Sequence, residues 1–588
     1  VYMLKLLKNL DKRDYFFAFI SAILIVVQVW LELKMPDYMS NITQLVQTKG
    51  ASINDILREG SYMLLCALGS LVSAFVVGYF TSTIAASFSY RTRGKLFRKV
   101  EDISTYEVKK FSPSSLITRT TNDITQIEFL IAMGLNLIIK APITAVWAVT
   151  KIVNKSMEWS ILTGIAVLVL LITIIIIMVI VMPRFKIVQE LIDKVNMVMR
   201  ENLSGIRVVR AFNAEEYQED KFENVNNKLT NQQMFNQTAF NFLNPIMYIV
   251  MYFLTLGIYF IGAILINNAG MSDKIVLFGN MIVFSSYAMQ VIMSFLMLAM
   301  IFMMLPRASV SARRINEVLD TDISVIEGDV MDNSNGIRGT IEFRNVSFKY
   351  PDADEYVLEN ISFKANQGEV VAFIGSTGSG KSTLVNLIPR FYDVTSGEIL
   401  VNGIDVRNYN FEYLNNIIGY VPQKATLFSG NILSNITMGK NIHGKPSKDK
   451  IKDAIRVSQA EEFISKLDGK EKAHIAQGGT NVSGGQKQRL SIARTIARDP
   501  EIYIFDDSFS ALDYKTDSVL RSELKKYSNA TALIVAQRIG TILNADKIVV
   551  LDNGKCVGIG THNELMKKCK VYKEIALSQV SKEELENV

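Results

Sequence analysis

The stretch Gly375-Ser-Thr-Gly-Ser-Gly-Lys381-Ser382 matches the pattern G-x-x-x-x-G-K-[ST] at every specified position. Such a loop brings several backbone N–H groups against a polyphosphate. Gly375, Gly378 and Gly380 allow the close approach and the unusual dihedrals, and Ser376, Thr377, Ser379 and Thr383 complete the candidate cradle. Lys381 would hold the β and γ phosphates, and the Ser382 hydroxyl would ligate Mg²⁺. The composition therefore predicts a nucleotide site.

Further residues suit the same chemistry. Pro500 to Asp506 reads as an apolar strand ending in a carboxylate, where a second Mg²⁺-directing group belongs. Between loop and carboxylate lie Gln423, after Gly419-Tyr-Val-Pro, and Val482-Ser483-Gly484-Gly485-Gln486. The glycine pair opens a predicted helix, Gln486 to Ala497, whose free N–H groups make a second anion site. The phosphate loop already has its own helix, so this second site implies a second subunit. Tyr350, just ahead of the nucleotide fold, would either stack on an adenine ring or simply pack.

The elements that must position these residues are legible as patterns. Val370 to Ile374 reads as a buried strand and Ser382 to Ile388 as the helix facing the anion. The alternation of Ile341, Phe343, Val346 and Phe348 predicts another strand. Upstream the character changes. With 588 residues, 49% of them hydrophobic, and a mean hydropathy of +0.21, the chain is too long for one core and too apolar for an ordinary soluble enzyme. Six apolar segments, at about 14–35, 61–85, 128–152, 159–182, 244–266 and 276–302, approach the roughly 20 residues a bilayer requires. Lys5, Lys8, Lys12 and Arg13 precede the first, with no small-residue cleavage site after it, so a retained membrane helix is expected.

Cations orient the chain. Arg91, Arg93, Lys95, Arg98, Lys99, Lys109, Lys110 and Arg119 follow the second segment; Arg184, Lys186, Lys194, Arg200, Arg207 and Arg210 follow the fourth. The opposite connections carry few, such as Lys49, Arg58 and Lys274, which puts both termini and the two basic connections in the cytoplasm. These connections are too long for structureless loops, so the membrane helices should extend and turn at tips near Lys110 to Thr120 and Ala211 to Phe222. Met293, Met297, Met300 and Met304 share one face of the sixth segment, and Tyr248, Tyr252 and Tyr259 one face of the fifth. They suit either a cavity for varied apolar molecules or plain packing. Lys140, two residues before Pro142, marks a polar cavity, a snorkelling end or a helix pairing. The stretch from Arg307 to Gly339 reads as a polar tether with one short helix. A net charge of +6 without a Lys/Arg block gives nucleic acid no footing, and three distant cysteines with three histidines give neither a disulfide framework nor a zinc cluster.

Together these residues resemble the ATP-binding cassette exporters, over nearly the whole chain. The most specific element is Ser483-Gly-Gly-Gln486 lying between a phosphate loop and Asp506. The resemblance implies an α-helical six-span transmembrane domain of the type I exporter (type IV) fold over 1–305 and a linker over 306–339. An α/β P-loop ATPase domain over 340–580 and a tail over 581–588 would follow. It implies ATP and Mg²⁺ as cofactors, with Ser382, Gln423 and Asp506 directed at the metal, Tyr350 on adenine and Ser510-Ala-Leu-Asp513 as a cross-dimer loop. The two tips become coupling helices. Location would be a bacterial cytoplasmic membrane and cargo a small amphipathic molecule. Nothing resembling a peptidase precedes the first helix, which lowers the peptide option.

Two departures from that family pattern matter most. After the Asp506 position the family usually has Glu, and this chain has Asp507; at the later switch position it usually has His, and this chain has Gln537. A carboxylate shorter by one methylene falls short of a water placed for in-line attack, and an amide carries no positive charge. Ala476-Gln477-Gly478-Gly479 stands where a Glu-Arg-Gly type sequence is common. The Ser483 to Gln486 signature is intact, with Val482 for the usual Leu. The expectation is the degenerate half of a heterodimer, whose signature completes a competent site on a second, non-identical subunit. A lipid or peptide exporter subunit, or a non-hydrolysing ATP-bound regulatory subunit, is the alternative.

Overall fold

The computed structural model describes residues 2–48, 52–153, 157–332, 336–441, 444–524 and 530–579. Lys49, Asn333 and the 581–588 tail lie outside the described residues, as does the side chain of Lys186. The chain divides into two compact units, 1–100 with 112–321, and 101–111 with 322–588.

Among the described residues of the first unit, six helices are long and apolar enough to cross a membrane: Lys12–Gln47, Ile53–Asp102, Pro113–Val153, Met157–Ala211, Glu215–Asn268 and Asp273–Leu319. Each contains one of the expected apolar segments and runs beyond it. Backbone hydrogen bonding is local, so a helix does not stop where apolar density falls while good helix formers continue. The first begins at a capping box, Asp11 with Asp14. Its face carrying Ile25, Val29 and Leu33 packs into a core with Trp159, Phe284 and Tyr287. There the Trp159 indole donates to Ile258 O at 3.2 Å.

Two expectations shift. The first tip lies earlier than Lys110 to Thr120: the second helix ends at Asp102, a short helix Thr105–Lys110 follows, and Ser112 caps the returning helix. Pro113 occupies the first helical turn, where its missing N–H costs nothing, so it starts a helix and does not make the turn. At the second tip the reversal is confined to Phe212–Ala214, with Asn213 at φ 50°, and Glu215 and Glu216 open the next helix at its positive end. The expected tether is also shorter. The sixth helix passes through Pro306 to Leu319, and Gly328 and Val330 hydrogen-bond to the backbone of Tyr409 and Asn408 within the second unit. A Cβ on Gly328 would sit 2.3 Å from Asn408 O, which explains that glycine.

In the second unit, a six-stranded sheet runs Lys555–Gly560, Lys547–Asp552, Val370–Gly375, Thr531–Val535, Ile502–Asp506, Ile418–Val421, parallel except for its first strand. A four-stranded antiparallel sheet runs Leu358–Ala365, Ile341–Phe348, Ser396–Val401, Ile404–Asp405. Ile341, Phe343, Val346 and Phe348 are all buried, and the three-residue step from Phe343 to Val346 coincides with a register shift, Asn345 taking φ 48°. The parallel strands end together, so their loops gather at one sheet edge.

Candidate functional site

The phosphate loop leaves the strand Val370–Gly375 and enters the helix Lys381–Asn386. Its glycines are steric necessities: a Cβ on Gly375 would lie 2.0 Å from Leu551 O, and Gly378 and Gly380 take φ 85° and 92°. Lys381 is buried and its Nζ donates to Gly375 O at 2.9 Å and Ser376 O at 2.7 Å. Burial lowers its pKa, and Asp507 and Asp506 oppose that shift.

Asp506 ends the strand two places away in the sheet, and its Oδ1 accepts from Ser382 Oγ at 2.7 Å. Two of the three expected metal-directing groups are thus adjacent, while the third, Gln423, turns its amide to Asp507. Tyr420, which the sequence reading passed over, donates to Asn386 Oδ1 at 2.9 Å and Asp506 Oδ2 at 3.4 Å. Its position one residue after Gly419, ahead of Gln423, was the available clue. Burial lifts the Asp506 carboxyl above its usual range, opposed by the hydrogen bonds from Ser382 and Tyr420. A divalent cation would offset the same desolvation, so the donor set of a hydroxyl beside a buried carboxylate fits Mg²⁺.

Asp507 follows at φ 47°, its backbone N–H bonded to Val535 O at 3.1 Å. Val535 pairs with Asp506 across parallel strands, so the residues just beyond both strands meet, and Gln537 Nε2 donates to Asp507 Oδ2 at 2.7 Å. Gln423 Nε2 reaches the same oxygen at 3.4 Å. Burial raises this carboxyl too, with the Gln423 hydrogen bond opposing. Gln579, from the helix Lys570–Gln579, fixes the Gln537 segment by bonding Gln537 O at 2.7 Å and Ile539 N at 2.8 Å. Nothing in the local sequence indicated Gln579.

Ser483 caps the helix Gly484–Ala497: Ser483 Oγ accepts from Gln486 N at 3.3 Å, and Gln486 Oε1 accepts from Ser483 N at 2.9 Å. The Gln486 side chain is therefore committed to the cap. Gly485 approaches Ala511 O, to which a Cβ would come within 3.3 Å. Tyr350 is half-buried, with its hydroxyl 3.1 Å from Thr383 Oγ1 and its ring edge-on to Tyr392 at 5.3 Å. The Tyr392 hydroxyl accepts from Lys109 Nζ at 3.1 Å, and Tyr106 donates to Asp352. The short helix of the first tip thus packs beside Tyr350, within the second unit.

In the first unit Lys140 pairs with Glu32 at 2.8 Å, so it is neither snorkelling nor alone. Glu32, inside an apolar segment, was a visible clue that the sequence reading omitted. Met293 and Met297 line a cavity of about 400 Å³ with Lys140, and Met300 and Met304 line a separate one of about 900 Å³. Tyr248, Tyr252 and Tyr259 line neither and remain exposed on the fifth helix.

A unit with membrane-length helices, fused in one chain to a phosphate-loop cassette, defines an ATP-driven membrane pump. The chain belongs to the ABC transporter family: the description "ABC transporter transmembrane region" matches residues 18–295, and "ABC transporter" matches residues 358–510. It is similar to an uncharacterized ABC transporter ATP-binding protein of Mycobacterium tuberculosis, 38% identical, covering 92% of this chain and 93% of that one. It is also similar to a putative multidrug export ATP-binding/permease protein of Bacillus subtilis, 31% identical with 84% of each chain covered. A bacterial Atm1-family ABC exporter solved with ATP bound shares the fold, with TM-score 0.81 at 22% identity over 97% of this chain and 100% of that one. The chain is accordingly an ABC-type transporter ATPase with exporter architecture.

Proposed function

We propose that this chain is one half of a heterodimeric exporter of drugs or other amphipathic molecules, its own phosphate loop lying in a degenerate ATP site. The observation that carries the reading is the pairing of Asp507 with Gln537 at 2.7 Å. The oxygen that would orient attacking water already accepts from an amide, on a side chain one methylene shorter than glutamate. Binding groups are intact, because Lys381, Ser382 and Asp506 converge on one loop, so ATP with Mg²⁺ is held while its hydrolysis is slow. Gly484 and Gly485, at the N-terminus of a capped helix, would complete the competent site of a second, non-identical subunit.

ATP-driven closure of the two cassettes would pull the first tip, whose Lys109 and Tyr106 contact the cassette, and so switch the membrane helices. The basic connections support a cassette and both termini in the cytoplasm of a bacterial cell. The cargo class takes support from the similarity to the putative multidrug export protein of Bacillus subtilis.

ATPase assays of the purified chain, alone and with its partner, test this. The chain alone should turn over slowly, and Asp507→Glu with Gln537→His should raise hydrolysis at this site about 100-fold, the scale of an orientation error. Rapid turnover by the unaltered chain as a homodimer would overturn the proposal. Trapping γ-phosphate release site by site separates slow hydrolysis from a purely regulatory ATP that is never split.

A further inference from the structure

Beyond Ala536, whose N–H bonds Phe373 O at 3.1 Å, the backbone leaves the six-stranded sheet and carries Gln537 to Asp507. Arg538 is extended, at φ −103° and ψ 128°, and provides no side-chain cap for the helix Ile539–Ile542 that follows it. The groups that hold this stretch come from the far end of the chain. Gln579 Nε2 donates to Gln537 O at 2.7 Å, and Gln579 Oε1 accepts from Ile539 N at 2.8 Å. A carbonyl and the N–H two residues later are the pair that one residue of a neighbouring parallel strand takes up. The Gln579 amide thus supplies from a side chain what a further strand would supply from its backbone.

The packing of its own helix does not require this contact. Tyr572 and Ala576, on the buried face of Lys570–Gln579, join the core that contains Ile539 and Ile542, and the Tyr572 hydroxyl lies 2.7 Å from His562 Nδ1. Gln579 itself is exposed. Its ordering costs side-chain entropy and adds nothing to the core, so its effect falls on the segment it holds. That segment places the Gln537 amide on Asp507 Oδ2 at 2.7 Å. Lys381, the residue that would hold the β and γ phosphates, interacts electrostatically with both Asp506 and Asp507. A bare Asp507 oxygen there would meet the terminal phosphate with like charge.

We propose that Gln579 is a positioning residue for the nucleotide site: through Gln537 O it sets the backbone from which the Gln537 amide covers Asp507 Oδ2, and so keeps that carboxylate from repelling the terminal phosphate of ATP. The assignment deepens the reading above, and rests on it only for the occupancy of this site by ATP with Asp507 paired to Gln537.

The test is equilibrium binding to the full chain in lipid nanodiscs, with magnesium, of two fluorescent nucleotides: ADP and an ATP analogue whose β–γ bridge is not hydrolysed. Gln579→Met, which keeps the length and removes the amide, should lower the preference for the triphosphate about fivefold, the factor of one ordinary hydrogen bond, with ADP affinity unchanged. Gln579→Lys keeps a donor for Gln537 O and should retain the preference. Gln579→Glu keeps only an acceptor for Ile539 N and should lose the preference while retaining the wild-type melting temperature. In a Gln537→Ala background the three substitutions should bind both nucleotides alike, which excludes a direct effect of the introduced charges. An unchanged preference in Gln579→Met, or a Gln579 effect that survives in Gln537→Ala, would overturn the assignment. A preference restored by Glu and not by Lys would also overturn it, by reducing Gln579 to a helix cap. Neither hydrolysis nor a partner enters the measurement, so rapid turnover by the chain alone would remove the degenerate-site reading and leave this one standing.

Discussion

The cassette and the membrane unit solve the problem of buried charge in different ways. In the cassette, Asp506 and Asp507 are held by groups that the sheet delivers: Ser382 from the helix that follows the phosphate loop, Tyr420 from the edge strand, and Gln537 from just beyond a paired strand. Adjacent parallel strands bring their ends into register, so the partners follow from the topology. In the membrane unit, Glu32 meets Lys140 across 108 residues of sequence, with no backbone hydrogen bonds between the helices to set their register. Side-chain packing alone fixes that meeting. The lesson is that backbone geometry makes a site rigid and readable, whereas side-chain packing makes one adaptable.

That contrast can be broken at chosen points. The largest effect should come from Gly375→Ala, where the added Cβ would lie 2.0 Å from Leu551 O. It should cost the cassette about 3 kcal/mol and reduce ATP binding with it, seen by thermal unfolding and nucleotide titration. A variant of wild-type stability would show that the loop backbone is not the rigid part. In the membrane unit the corresponding change is Tyr287→Phe, which removes the hydroxyl bonded to Leu33 O and Asp37 Oδ1. About 1.5 kcal/mol of stability should be lost in detergent, because the Asp37 oxygen loses its donor. An unchanged melting temperature would mean that side-chain pairs contribute little there. The smallest effect is expected for Ser483→Ala, which deletes the cap of the helix Gly484–Ala497 at a cost of about 1 kcal/mol, measurable in urea unfolding of the full chain.

Much of the cassette was legible because its motifs are contiguous. The loop Gly375–Ser382, the strand ending at Asp506 and the capped glycine pair each occupy one short stretch, and each forms where its pattern placed it. The limits of the membrane helices were less legible. Hydropathy marks where lipid begins and ends, and Pro113 and Pro306 show that proline can open or interrupt a helix without ending it. The methionine face was correctly placed on one helix, but the helices around it divide it between two cavities.

By itself the sequence determined the two-part architecture, the nucleotide loop and the substitution of Asp507 and Gln537 where the related pattern has Glu and His. These depend on residue type and short spacing, which the chain carries locally. Only the tertiary structure decided that Gln537 bonds Asp507, that Gln579 holds the Gln537 segment, and that Glu32 and Lys140 share a cavity with Thr144. Those meetings join residues dozens to more than a hundred positions apart. Their geometry is set by packing between whole strands and helices, which no local pattern encodes.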